Sequence, residues 1–153
     1  MRHVQDKTCL TIDSVIRSAI NEQISHTNLS FESFTARVCD LYFKHVPVPQ
    51  QTFALAAVGV NGDAWECNRA NARKLGRLLN VQQNLHLPAV LVPFLIAALD
   101  DPYRKDTTTR IIDLISSDRS RAKDGDPLEA LALLMKEQGE ALQAFLKVAK
   151  NGL

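Results

Sequence analysis

The sequence has few cysteines, no apolar leader and no long hydrophobic run, and each absence removes a class of protein. The three cysteines, Cys9, Cys39 and Cys67, are odd in number and form no Cys-x-x-Cys pair, which argues against a disulfide framework. The first residues, MRHVQDKTCLTIDSV, lack the apolar segment of a signal peptide. The longest nearly apolar run, residues 85–99, contains two prolines and is too short to span a bilayer. We therefore expect a cytoplasmic protein with reduced cysteines and no membrane partner.

Common catalytic and metal-binding motifs are also missing. The four histidines are scattered, and there is no G-x-S-x-G, no H-E-x-x-H and no glycine-rich phosphate loop before a helix. Cys67 lies close to Arg69 in the sequence, but a small core residue is the preferred interpretation over an activated thiol. The carboxylate pair Asp100–Asp101 precedes Pro102, and the start of a helix explains it. We therefore expect no enzymatic activity, and hence no catalytic residue, metal, cofactor or small-molecule substrate.

Apolar residues recur at helical spacing in the first half of the chain. The overall composition, 46% hydrophobic and 23% charged, is that of a globular chain with a core. The spacing predicts a first helix over residues 11–25 and a second that begins after an N-cap at Ser30. A third helix is predicted over residues 64–80, where Asp63 can cap the N-terminus and complement the helix dipole. No segment alternates like a strand, so the predicted fold class is all-α.

The remaining segments are harder to assign. Residues 46–62 are bounded by proline and weakly patterned, and either a short helix or an extended piece fits them. The run LPAVLVPFLIAAL predicts a buried helix in which Pro93 either introduces a kink or restarts the helix. A fifth helix is predicted with Pro102 in its first turn. Its inward-facing residues are predicted to be Ile111, Ile112, Leu114 and Ile115.

A polar stretch divides the chain into two predicted parts. Residues 118–126, DRSRAKDGD, contain one apolar residue and a glycine, which is typical of a flexible linker. We therefore predict a domain over residues 1–117, a linker over 118–126 and a C-terminal helix within 127–153. Charge follows the same division: residues 64–99 carry four basic residues and one acidic residue, whereas residues 124–150 carry five acidic and three basic ones. This asymmetry indicates one electropositive surface and a tail with a separate role.

The basic residues lie on one side of the third helix. On a helical wheel centred on Leu75, the apolar half contains Trp65, Cys67, Ala72, Leu78 and Leu79. Arg69, Arg73 and Arg77 are spaced by four and lie on the opposite side, with Lys74 at its flank. None of the three arginines has an acidic partner at i+4, so their charge is not neutralised locally. An ordinary solvated face remains the alternative, but the pattern favours binding to a polyanion.

Two asparagines precede or interrupt this basic line. Asn68 and Asn71 are poor helix formers, yet they lie where a recognition helix directs side chains at base edges. In the major groove, asparagine can form two hydrogen bonds with adenine, and arginine can form two with guanine. We therefore predict that Asn71 and Arg73 read bases and that Lys74 and Arg77 contact phosphate, with Arg69 in either role. Asn68 could instead cap a helix that starts later, and Asn71 could pack inward.

The stretches NARKLGRLL and LPAVLVPFLIAALDDPYR, followed by a leucine-rich terminal helix, resemble the YdaT family of lambdoid prophages. Members of that family are labelled putative toxins but are similar in role to CII-type phage regulators. The resemblance implies a POU-like helix-turn-helix domain, an oligomerising C-terminal helix and binding to an inverted repeat in double-stranded DNA. Asn71, Arg73, Lys74 and Arg77 fall on the polar pattern of the family's recognition helix. The segment before that helix, residues 46–63, is much longer than the usual turn of the motif.

The C-terminal helix carries a heptad-like seam. Apolar residues repeat at alternating spacings of three and four, broken by one glutamine, and a second apolar line runs beside them. The predicted oligomerisation residues are Leu128, Leu131, Leu134, Met135, Gln138, Leu142, Phe145 and Ala149. A stripe this wide suits a bundle of more than two helices, so we predict a homotetramer held by a four-helix bundle. A helix folded back on its own domain is the alternative.

These patterns together predict a DNA-binding transcriptional regulator that acts as an oligomer. A toxin or adaptor that works through protein contacts is the rival prediction, because exposed arginines also bind acidic proteins. In that case the long segment over residues 46–63 is the docking surface. Binding to duplex DNA that weakens with salt distinguishes the two.

Overall fold

The computed structural model describes residues 10–83 and 85–121, with side chains described as far as residue 116. This part of the chain contains five α-helices, two short 3-10 turns and no strand, so the predicted all-α class is confirmed for it. The helices are α1 (Ile12–His26), α2 (Phe31–His45), α3 (Ala64–Leu79), α4 (Val92–Ala97) and α5 (Tyr103–Arg121), and the 3-10 turns are Val48–Gln50 and Val81–Gln83. The predicted C-terminal helix, with all eight proposed oligomerisation residues, lies outside the described residues.

Side-chain caps define where the first three helices begin. Thr11, Ser30 and Asp63 each accept a hydrogen bond from the backbone N–H three residues further on, at 3.1, 3.1 and 2.9 Å respectively. Such caps satisfy backbone donors that have no partner inside the helix. The predicted caps at Ser30 and Asp63 are therefore confirmed. The predicted bounds of α1 and α3 agree with the structure to within one residue, and α2 begins directly after Ser30 as predicted.

One apolar core joins α1, α2, α3 and α4. Its fully buried side chains include Ile16 of α1, Phe34 and Tyr42 of α2, Leu75 of α3 and Leu95 of α4. The helix α2 packs against both α3 and α4, and α5 packs against α1 and α4. Since α2 contacts α3 directly, these two helices are adjacent in space although 18 residues separate them in the sequence.

The second half of the chain differs from the prediction in three places. The helix predicted over the run LPAVLVPFLIAAL begins only at Val92 and is six residues long; Pro93 lies in its first turn and neither bends nor restarts an earlier helix. Ile112, expected to face inward, is 48% exposed, whereas its neighbour Ile111 packs against the core. The helix α5 continues through Arg121, four residues into the predicted linker. Residues 118–121 contain no proline or glycine, so nothing in their backbone stops the helix.

The segment between α2 and α3 is an extended piece that crosses both helices. We call Phe53–Ala57 the strap. The Tyr42 hydroxyl donates to the Phe53 carbonyl at 3.0 Å and accepts from the Phe53 N–H at 3.2 Å, while Leu55 packs into the core. Of the two structures that the sequence left open here, the extended one is observed, with a single 3-10 turn at Val48–Gln50. The strap therefore covers one flank of α3.

A polar junction holds α1 and α2 to the start of α5. Gln23 is fully buried; its amide donates to the Asp100 carboxylate at 2.7 Å and accepts from the Asp100 N–H at 3.0 Å. Arg37 of α2 forms a salt bridge with the same carboxylate at 2.9 Å. Asp101 forms salt bridges with Arg104 and Lys105 in the first turn of α5, at the helix start that the sequence predicted, whereas the contacts of Asp100 were not predicted. No helix in the described ranges is both long enough and apolar enough to cross a membrane.

Candidate nucleic-acid interface

The two faces of α3 have opposite characters. Cys67, Asn71, Leu75 and Leu79 are buried against the strap and α2, whereas Arg69, Arg73 and Arg77 are exposed. The arginines follow one another at intervals of four residues, so they form a line inclined to the helix axis. Because the opposite face is anchored in the core, the line is held on a fixed support. We call Arg69, Arg73 and Arg77 the arginine line.

The charges of the arginine line are not neutralised inside the described part of the chain. None of the salt bridges there involves an arginine of the line, and the side chains of Arg73 and Arg77 make no hydrogen bond in it. Arg69 contacts only an aromatic ring, that of Trp65, at 5.1 Å from its guanidinium carbon to the ring centroid. Unpaired guanidinium groups on an exposed face are free to bind phosphates or base edges.

Trp65 corrects one expectation from the helical wheel. It was placed in the apolar half, but it is 66% exposed at the N-terminal end of α3. Trp65 and Cys67 each lie about 80° from Leu75 on the wheel, on opposite sides. The strap and Cys39 of α2 cover the Cys67 side, so Trp65 is left on the outer side next to Arg69.

Asn71 is the second correction. We predicted that it reads a base, but only 2% of it is exposed. Its side-chain oxygen accepts from the Ala56 N–H at 2.8 Å, and its amide nitrogen donates to the Ala56 carbonyl at 2.9 Å. The inward orientation, left open from the sequence, is therefore the one observed. The Asn71 side chain thus bonds to both the N–H and the carbonyl of one strap residue, as the backbone of a neighbouring strand would. It is therefore not available to DNA.

Lys74 also serves the strap. Its ammonium donates to the Ala54 carbonyl and lies 5.6 Å from the centroid of the Phe53 ring. The side chain is nevertheless exposed, so it remains at the flank of the arginine line where the sequence placed it. Asn68 is half-buried and is not the N-cap of α3, because Asp63 and Glu66 form a capping box there. The alternative that Asn68 caps a later helix start is wrong.

The C-terminal end of α3 is held by a residue that the sequence did not point to. The Arg17 guanidinium of α1 donates to the Leu78 carbonyl at 2.9 and 3.2 Å, and also to the Leu85 carbonyl. A cation at this position satisfies backbone acceptors and complements the negative end of the helix dipole. Sixty-one residues separate Arg17 from Leu78, so no local pattern announces the contact.

The turn that leads into α3 exposes apolar side chains. Val58 and Val60 are 60% and 81% exposed on a turn closed by hydrogen bonds from the Val60 and Asn61 N–H groups to the Ala57 carbonyl. Gly59 has a φ of +83°, a conformation that favours glycine. The sequence signal for this turn is the short run Val-Gly-Val-Asn-Gly at residues 58–62.

The thiols behind α3 belong to the core. Cys67 is 1% exposed, and Cys39 is 5% exposed on α2. Burial raises the pKa of the Cys39 thiol to about 11, and the nearby Asp40 carboxylate acts in the same direction. Burial likewise raises the pKa of Tyr42. A thiol held neutral and shielded from solvent, as Cys39 is, is a poor nucleophile. In the ranges 10–83 and 85–121, no group of three or more potential metal ligands is found.

The described part of the chain is thus a small helical domain that presents a cationic helix on a fixed support. Residues 13–101, more than half of the chain, match a family of unknown function, DUF8585, and the chain belongs to this family. The matched region runs from α1 to the residues just before α5 and includes the strap and the whole arginine line. No curated protein and no solved structure matches the chain.

Proposed function

We propose that the protein is a cytoplasmic, sequence-specific DNA-binding regulator of transcription, with α3 as its recognition helix. The observation that carries the proposal is the arginine line: three exposed guanidinium groups on a helix whose other face is buried, without salt-bridge partners in the described part of the chain. DNA offers phosphates and guanine edges, the groups that arginine binds best. Arg73 is assigned to base reading and Arg77 to phosphate.

The arrangement of α2 and α3 supports a helix-turn-helix of POU-like type with an unusual connection. The two helices pack directly against each other, and the strap takes the place of the short turn. Asp63 and Glu66 cap the first turn of α3 and place negative charge there. Approach to phosphates therefore falls to the C-terminal turn, where Arg77 lies.

The resemblance to the YdaT family of prophage proteins is a second reason for the proposal. It assigns the protein a CII-like role in a prophage, with an inverted repeat as the DNA target and a homotetramer as the active form. The tetramer is assigned to the C-terminal helix over residues 127–150. Paired domains suit an inverted repeat because the two-fold symmetry of the protein matches that of the site.

Selection of bound sequences from a pool of random duplexes tests the proposal, followed by fluorescence anisotropy with a labelled duplex at several salt concentrations. We expect enrichment of an inverted repeat and binding that weakens steeply with salt, at about 0.9 in log K per log salt for each phosphate neutralised. Alanine at Arg73 and Arg77 together is expected to reduce affinity and flatten the salt dependence. Arg110→Ala, an exposed arginine on α5, is the matched control and is expected to bind normally. Absence of enrichment together with a flat salt response would reject the proposal.

A toxin or adaptor that acts through protein contacts is the second candidate. The observation that favours it is the exposed apolar surface of Val58, Val60 and Trp65, since exposed apolar residues are typical of protein-binding surfaces. Two separate variants distinguish the candidates: one with charge reversal at Arg73 and Arg77, and one with Val60→Lys. A DNA-binding regulator loses activity chiefly through the arginines, whereas an adaptor loses partner capture through Val60 even in the absence of DNA.

A further inference from the structure

Trp65 is the single tryptophan of the chain, and the fold does not use it. It is 66% exposed on the first turn of α3 and is absent from the hydrophobic core and from the partly buried side chains around it. A large aromatic ring in this position offers its apolar surface to a binding partner rather than to the protein interior.

Trp65 heads the same line as the arginines. Residues 65, 69, 73 and 77 follow at intervals of four, and the Arg69 guanidinium carbon lies 5.1 Å from the centre of the Trp65 ring. This is within the range of a cation–π contact. Arg73 and Arg77 make no such contact in the described part of the chain. Arg69 is therefore the one member of the arginine line that an aromatic ring orients before any ligand binds.

The charges around Trp65 disfavour a phosphate at this end of the helix. Asp63 and Glu66 flank it, and the Glu66 carboxylate lies 3.4 Å from the Asp63 N–H, where it caps the helix. Two carboxylates beside the ring repel the full negative charge of a phosphate more strongly than the partial negative charges of a base edge. A base edge is therefore the better ligand for Arg69.

We propose that Trp65 and Arg69 form one base-reading unit on α3. Arg69 donates two hydrogen bonds to the N7 and O6 atoms of a guanine, and the indole packs on the apolar edge of the adjoining base, for example the thymine methyl group. Trp65 is also a positioning residue, because its ring holds Arg69 in a narrow range of conformations and so reduces the entropy lost on binding. This inference rests on the proposed DNA binding and extends it to a specificity-determining pair.

The experiment measures affinity for the selected duplex and for a series in which each base pair is replaced in turn. Arg69→Ala is expected to lose discrimination at one G·C pair by roughly 5- to 100-fold and to keep it at the others. Trp65→Ala is expected to lose part of the discrimination at the same pair and at its neighbour. Trp65→Phe retains an aromatic face and is expected to restore most of it, whereas Arg69→Lys keeps the charge but not the bidentate geometry and is expected to behave like Arg69→Ala.

The fluorescence of Trp65 gives an independent readout because it is the only tryptophan. In the wild-type protein its emission is expected to change in proportion to the specific duplex bound and to respond less to a random duplex at equal occupancy. Thermal unfolding of each variant confirms that the fold is retained, and Arg110→Ala again serves as the control.

The outcomes separate the two proposals. If the wild-type protein binds no selected duplex, the proposed DNA binding is wrong. If it binds with sequence preference, yet Trp65→Ala and Arg69→Ala keep full discrimination at every pair and the emission is unchanged, the base-reading unit is wrong while DNA binding stands. If Trp65→Phe is as impaired as Trp65→Ala, the positioning of Arg69 by the ring is wrong.

Discussion

Asn71 carries more of the structure than its place in a cationic helix suggests. A buried amide needs partners for its oxygen and its nitrogen, and both are supplied by the backbone of Ala56 at 2.8 and 2.9 Å. The same two bonds satisfy the backbone of the strap, since the Ala56 N–H and carbonyl would otherwise lack a hydrogen-bond partner. Asn71 therefore holds the strap to α3 at Ala56, in addition to the bonds that Lys74 and Tyr42 make to Ala54 and Phe53.

Replacement of Asn71 by alanine is expected to destabilise the protein by about 1–3 kcal/mol, because two backbone groups of Ala56 lose their partners in a largely buried place. Urea unfolding followed by circular dichroism measures the change. Asn68→Ala on the same helix is the control, since Asn68 is half-buried and makes no side-chain hydrogen bond in the described region; it is expected to change stability by less than about 0.5 kcal/mol. Equal effects of the two substitutions would show that the bonds to Ala56 contribute nothing.

At the scale of single residues, the sequence predicted the features that depend on residues nearby in the chain, such as helix caps. Ser30 and Asp63 bond to groups three residues away, and a cap is visible in any window of that length. The outward direction of Arg69, Arg73 and Arg77 follows from the spacing of the apolar residues alone. The inward direction of Asn71 follows from the same wheel, on which it lies about 40° from Leu75. Its partner does not, because Ala56 lies 15 positions earlier in the chain.

At the scale of elements, α3 is held at both ends and along one side. The capping box of Asp63 and Glu66 closes its N-terminus, Arg17 binds its C-terminal carbonyls, and the strap lies along its flank. Only the first of these supports was predictable from the sequence, since Arg17 acts across 61 residues. The chain thus presents the arginine line on a helix whose position is set by contacts distant in sequence.

The cap at the start of α3 yields a prediction of its own. Asp63→Ala removes the acceptor for the Glu66 N–H and a negative charge at the positive end of the helix, so it is expected to cost about 0.5–2 kcal/mol. Asp63→Ser keeps a capping oxygen and is expected to recover most of this loss. Thermal unfolding compares the two. Asp113→Ala, an exposed carboxylate within α5, is the control and should have little effect, whereas equal destabilisation by all three substitutions would contradict the role of the cap.

At the scale of the whole molecule, the proposed binding to an inverted repeat requires more than the described domain. Under the proposed function, a single α3 would occupy one major groove and read one half-site. Two half-sites about one helical turn apart, roughly 34 Å, require two domains whose spacing is controlled. The heptad-like spacing from Leu128 to Ala149 is the feature of the chain best suited to join domains, and it lies outside the described residues.

We expect the full chain to sediment as a tetramer at micromolar concentration and residues 1–123 to sediment as a monomer. A helix over residues 127–150 is about 36 Å long at 1.5 Å per residue. One such helix buries little apolar surface unless several helices pack their apolar faces together. The double substitution Leu131→Asp and Leu142→Asp keeps the chain length but places charge in the seam, so it should dissociate the tetramer as truncation does. Both changes should weaken binding to the full repeat far more than to one half-site, because linked domains raise the effective concentration of the second contact. A monomeric full chain would instead favour a tail that folds back on its own domain, and a tetramer that survives both aspartates would locate the interface elsewhere in the protein.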